Sequence, residues 1–174
     1  VYRDPSSLPA DDIELTIRML QRLVERERHG ECLPRADCLA SVQGNAFSSS
    51  LRRQVVEWIR SARRVFKMSW LTYFLAVSLL DRMLSSTKVP VNLAQKSGLV
   101  CLFLASKVND LRPLTADTIE NCFDRVCSLS QVKKLEIRTV HALEWCLTAP
   151  HVGPVVQLLG ALVPRRANVI APTY

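Results

Sequence analysis

The 174-residue chain holds only five glycines and three histidines, and no CxxC pair occurs among its six cysteines. So few glycines leave no Gly-rich phosphate loop, and no G-x-S-x-G elbow is present. His29, His141 and His151 stand in no HExxH or similar metal spacing. These absences argue against an enzyme, a metal site and a bound cofactor. No run alternates polar and apolar side chains for long, so no sheet is expected. The apolar stretches 70–84 and 97–106 are not membrane spans. Asp81 and Arg82 interrupt the first, and the second is too short to cross a bilayer. No charged-then-apolar leader opens the chain at Val1, and unpaired cysteine spacing suits a reducing, intracellular compartment.

What is present is apolar and basic. A hydrophobic content of 48% is enough for one compact domain with a core. The net charge of +7 is unevenly spread: residues 1–31 carry five arginines against seven acids, so the excess of base lies beyond them. Such a field favours acidic partners.

Residues 1–10, with two prolines and two serines, read as a loose lead-in. A helix beginning near Asp11 or Asp12 places Ile13, Ile17, Leu20 and Val24 on one face and ends near His29-Gly30. Residues 31–50 read as a linker with one short helix around 36–42. "LRRQVVEWIRSARRVF" then aligns Leu51, Val55, Ile59, Ala62 and Phe66 in a buried stripe and puts five arginines mostly elsewhere. "SWLTYFLAVSLLDRML" and "VNLAQKSGLVCLFLASK" are apolar almost all round, as central helices are, and Gly98 permits a close helix approach. "TADTIENCFDRV" makes a short helix capped by Thr115. "SLSQVKKLEIRTVHALEWCL" starts at Ser128 and Gln131 in capping-box spacing, with Val132, Leu135, Thr139, Ala142 and Cys146 inward. Pro150 and Pro154 end it, and "VVQLLGALVP" can form one more short helix before a tail. The prediction is an all-α fold of five packed helices, one amphipathic helix ahead of them and a short one behind.

Arg52 and Asp81 are charges in segments expected to be buried. Burying a charge is costly unless it is paired, so the two are predicted to meet across the helix interface as a structural pin. A catalytic role for Asp81 lacks any neighbour to complete a proton-transfer site. Cys122 and Cys127 could in principle ligate a metal, but thiols in such segments ordinarily behave as small hydrophobes. Lys107, which ends an apolar helix, is favoured there by the helix dipole alone. Arg52, Arg53, Arg60, Arg63, Arg64 and Lys67 make one helix basic, but no aromatic side chains are interleaved for base stacking.

In order and spacing, "LRRQVVEW", "LAVSLLDRML", "GLVCLFLASK", a glutamate 29 residues after that lysine, and "ALEWCL" resemble the N-terminal cyclin box. This is the helical domain by which cyclins bind and activate cyclin-dependent kinases. "RMLQRLVERER" and "DCLASVQ" are similar to what precedes the box in D-type and viral D-like cyclins. The resemblance implies an N-terminal segment over 1–49, a box over 50–150, and a short helix and tail over 151–174, with the family's second repeat absent. It implies an internal ion pair between Arg52 and Asp81. It also implies a kinase contact through Lys107 and Glu136, with Val108, Val140, Trp145 and Leu147 as apolar neighbours and Asp110 as a flanking acid.

The resemblance further places a docking patch for Arg-x-Leu peptides of substrates or inhibitors on Leu51, Gln54, Val55 and Trp58. Gln54 stands where an aliphatic residue is usual, so docking there is expected to be weak or altered. Asn109-Asp110 replaces a pair of acids, which leaves the choice of kinase open, and no LxCxE motif occurs. The implied function is a non-catalytic cell-cycle kinase regulator of nucleus and cytoplasm, without cofactor, metal or membrane. Two alternatives stay open: a cyclin-fold adaptor for nucleic acid or a transcription complex, and a box that binds a kinase without activating it.

Overall fold

The computed structural model describes residues 10–30, 32–44, 46–123 and 128–162, and no strand occurs among them. The helices run in the order α1 (Ala10–Arg28), α2 (Cys38–Ser41), α3 (Ser49–Val65) and α4 (Trp70–Ser86). A 3-10 turn at Val91–Leu93 then leads into α5 (Ala94–Asn109), followed by α6 (Ala116–Phe123), α7 (Leu129–Ala142) and α8 (Val152–Leu162). Hydroxyl caps set four of the starts. Ser48 accepts from the Leu51 N–H at 3.1 Å, Ser69 from Thr72 at 3.0 Å, Thr115 from Thr118 at 3.2 Å and Ser128 from Gln131 at 3.4 Å. Each bond satisfies an amide that the first helical turn leaves without a partner.

α5 is the centre of the molecule. Every residue from Ser97 to Ser106 is buried, and the helix packs against α3, α4 and α7. Gly98 makes the α3 contact possible, because a Cβ there would lie 2.6 Å from Val55 Cγ1. α4 adds Leu75, Ala76, Leu79, Leu80, Met83 and Leu84 to the same core. Each fully buried leucine contributes about 1.5–3 kcal/mol. Two polar side chains lock the connections around this core. Gln43, fully buried, donates to the Leu84 and Thr87 carbonyls at 2.6 and 2.8 Å and accepts from the Val89 N–H at 2.9 Å, holding the end of α4. Ser106 donates to the Phe103 carbonyl and accepts from the Leu114 N–H, which fastens the loop after α5.

Three sequence expectations change. α7 was expected to run on towards Leu147 but stops at Ala142. Glu144 and Trp145 take left-handed φ values of 52° and 61°, and the Trp145 N–H reaches back to the Val140 carbonyl at 3.0 Å. That pattern closes a helix C-terminus, ordinarily with glycine, and here non-glycine residues carry it. Pro154 was expected to break a helix, yet it lies in the first turn of α8, where no intrahelical amide bond is lost. The stripe of α1 is only partly covered: Ile13, Ile17 and Val24 remain exposed, and the helix packs on α8 rather than on the central core.

Candidate functional site

Two ion pairs tie the central helices, and each joins side chains 29 positions apart. Between α3 and α4, Arg52 Nε and Nη2 donate to Asp81 Oδ1 and Oδ2, both at 2.6 Å. The planar fork of arginine suits a carboxylate in this two-bond arrangement. Hydrogen bonding to Asp81 raises the Arg52 pKa against an opposing contribution from burial. The pair is half-buried, with side-chain exposures of 36% for Arg52 and 21% for Asp81.

The second pair lies at the open edge of the α5–α7 contact. Lys107 is in the last turn of α5, where the carbonyl end of the helix favours a cation. Its Nζ sits 4.0 Å from the centre of the Phe103 ring and donates to Glu136 Oε1 on α7 at 2.5 Å. Apolar side chains exposed on these elements include Val108 and, on α7, Ile137 at 60%. Trp145, in the turn after α7, is 71% exposed and meets the His141 ring edge-on at 5.7 Å.

The remaining expected contacts divide. Val140 is buried in the core, and Leu147 is half-buried against it. Asp110 turns towards α4: its Oδ1 accepts from Thr72 Oγ1 at 2.6 Å, and its Oδ2 is buried without a partner. Asp110 therefore ties the end of α5 to the start of α4. Ile137 escaped the sequence reading, although its position off the Val132–Leu135–Thr139 stripe marks it as outward-facing. On α3, Gln54 is exposed and Leu51 half-buried, while Val55 is buried against the site of Gly98. Trp58 packs edge-on to Phe123 at 5.8 Å.

Much of the basic character of α3 is engaged within the chain. Besides Arg52, Arg60 pairs with Glu57 at 3.4 Å, and Arg63 lies 3.8 Å from the centre of the Trp70 ring. Among the described residues no group of three or more His, Cys, Asp and Glu could hold a metal, and Cys127 lies outside them. Burial, with the charge of Asp81 as a smaller contribution, pushes the Cys101 thiol far up, so it behaves as a core hydrophobe. No helix among the described residues is long and apolar enough to cross a membrane.

This architecture has counterparts. Residues 18–148 match the family described as "Cyclin, N-terminal domain". The chain belongs to the cyclin family. Its cyclin relatives include the G1/S-specific cyclin-D of Caenorhabditis elegans, 27% identical over 90% of this chain and 38% of that protein. G1/S-specific cyclin-D2 of Rattus norvegicus is 31% identical over 77% of this chain and 46% of its own length. Cyclin-B1-1 of Arabidopsis thaliana is 30% identical over 59% of this chain and 24% of that protein. Among solved structures, a viral cyclin from herpesvirus saimiri superposes with a TM-score of 0.64 at 23% identity, covering 75% of this chain and 55% of the other. The match begins within α1, takes in α2 to α7 and ends ahead of α8. The chain spans less than half the length of these three cyclin relatives.

Proposed function

We propose that this cyclin chain is a non-catalytic regulatory subunit that binds and activates a cyclin-dependent protein kinase through the edge where α5 meets α7. The observation that carries the reading is the Lys107–Glu136 pair. It is held in place by one hydrogen bond, so two ammonium donors and one carboxylate oxygen are left for a partner. Exposed Val108, Ile137 and Trp145 supply apolar anchors on the same elements, and a few charged hydrogen bonds among water-excluding contacts make a specific interface. Activation is then a population shift: binding favours the kinase conformation in which the lysine–glutamate pair of the C-helix is assembled. Peptide docking along α3 is weak in this reading, because Gln54 is exposed where an apolar floor is needed and Val55 is turned inward.

Such a regulator works inside the cell, in nucleus and cytoplasm, a setting that suits the free thiols of Cys38, Cys101, Cys122 and Cys146. The test is capture of cyclin-dependent kinases by the purified chain, followed by a kinase assay. Lys107→Glu is expected to weaken capture by at least about tenfold, since losing one charge of a desolvated pair costs about 2–5 kcal/mol. Glu136→Ala is expected to lower capture and activation together. Capture at the parent level by both variants refutes the site, and capture without activation identifies a box that only binds.

A further inference from the structure

The fold gives no account of one arginine of α3. Arg53 is exposed and enters no hydrogen bond or ion pair among the described residues. It also stands near the amide end of the helix, where the dipole disfavours a cation and where the first turn holds no acid. Ser49, Arg52, Arg53 and Val56 fall at i, i+3, i+4 and i+7, so they share one face of α3, opposite to that of Leu51, Gln54 and Trp58. This face borders a groove of about 450 Å³, whose other wall carries Arg35, Ala36 and, from α2, Leu39. α2 and α3 both pack on α4, which adds Asp81 to the groove between them.

We propose that this groove docks an acidic peptide segment of a partner protein, with an apolar side chain resting on Leu39 and Val56 and carboxylates meeting Arg53 and Arg35. Charge complementarity selects this occupant. Three arginines and one acid line the groove, and that acid, Asp81, already takes two hydrogen bonds from Arg52. The unbalanced charge is therefore that of Arg53 and Arg35. Arg35 meets Asp37 only at 3.4 Å, with side-chain exposures of 59% and 61%, and so open a pair yields to a better placed carboxylate. Leu39 and Val56 are half-buried against the core, which fixes the apolar floor in place. A second copy of a chain with net charge +7 would meet like charge here, and a nucleic acid would find no aromatic side chain in the groove for base stacking. The groove lies on other elements than the α5–α7 edge, so it stands independently of the kinase reading.

The test titrates the isotope-labelled whole chain with the acetylated and amidated peptide EELEE, read by amide NMR. Saturable shifts are expected at Ala36, Leu39, Arg53 and Val56. QQLQQ, which lacks the charges, is expected to give none, and EEGEE, which lacks the apolar side chain, to bind more weakly. Arg53→Glu is expected to weaken EELEE binding at least about tenfold, the loss of one charged hydrogen bond with a repulsion added. Arg35→Glu is expected to act in the same direction by a smaller factor, because Asp37 already shares that charge. Arg64→Glu makes the same change in net charge at an exposed position near the other end of α3 and is expected to cost no more than about twofold. A loss in Arg64→Glu as large as in Arg53→Glu, shifts that do not saturate or that spread over the basic surface, or EEGEE binding as tightly as EELEE overturns the proposal. A short DNA duplex that shifts the groove amides where EELEE does not would assign the groove to nucleic acid and overturn it equally.

Discussion

The two ion pairs of the box have the same separation in sequence and opposite designs. Arg52–Asp81 is a two-bond pair: a fork meets a carboxylate through two bonds of 2.6 Å, and both acid oxygens are engaged. Lys107–Glu136 is a point charge on one oxygen, at an edge with exposed apolar neighbours. The difference teaches how to tell a pin from a handle. A pair joined through both carboxylate oxygens fixes two helices, whereas a pair that meets through one oxygen leaves the other to offer.

Breaking the two-bond pair is expected to have the largest effect on stability. Asp81→Ala strands the Arg52 guanidinium, for which a fully buried pair would lose about 3–5 kcal/mol. Solvent reaches both partners here, so a loss of about 2–3 kcal/mol in denaturant unfolding is expected. Removing both partners is expected to be milder than the sum of the single losses, because no charge is then left stranded. Equal and additive losses would mean that the bond seen between them does little.

The charge swap Lys107→Glu with Glu136→Lys sharpens the contrast from the other side. It keeps an ion pair between α5 and α7, and exposed pairs contribute about 0–1 kcal/mol, so unfolding is expected to move by no more than that. Kinase capture is nevertheless expected to fall, because donor and acceptor have exchanged places towards the partner. A swap that captures the kinase as well as the parent would make the pair a pin like the other one.

Much of this contrast was legible in the residues, for a physical reason. Arg52 and Asp81 interrupt apolar periodicity, and an interrupted core must pair its charges, so their meeting followed from burial alone. Helix starts were legible at Thr115 and Ser128, since a hydroxyl cap is a local device, and Ser48 and Ser69 cap α3 and α4 in the same way without having been read as caps. What stayed hidden depends on tertiary placement. α4 is apolar nearly all round, so no periodic signal shows that Arg82 is more deeply buried than Asp81. Gln43 lies in a polar-looking linker, and only the turn after α4 gives all of its donors and acceptors a use. Asp110 was implied as a flanking acid, and its bond from Thr72 depends on where α4 begins, which no local signal gives. The end of α7 was missed because Glu144 and Trp145 adopt a conformation for which glycine is the usual signal.

The smallest expected effect lies away from both pairs, at the base of α8, and it is read through pH. Burial lowers the His151 pKa from its ordinary value, and the neutral ring accepts the Gly153 N–H at Nδ1 over 3.2 Å. The folded state therefore binds a proton less tightly than the unfolded chain does. The stabilisation is complete above the unfolded value of about 6.5 and is lost as pH falls through the lower folded value. Protonation also turns the Nδ1 acceptor into a donor, so the Gly153 amide is expected to exchange faster in mild acid, beyond the intrinsic pH trend of exchange. The check compares parent with His151→Gln in thermal unfolding from pH 7.5 to 5. If His151 titrates as described, the parent loses more of its melting temperature than the variant does across that range. Parallel profiles would place the acid sensitivity elsewhere in the fold.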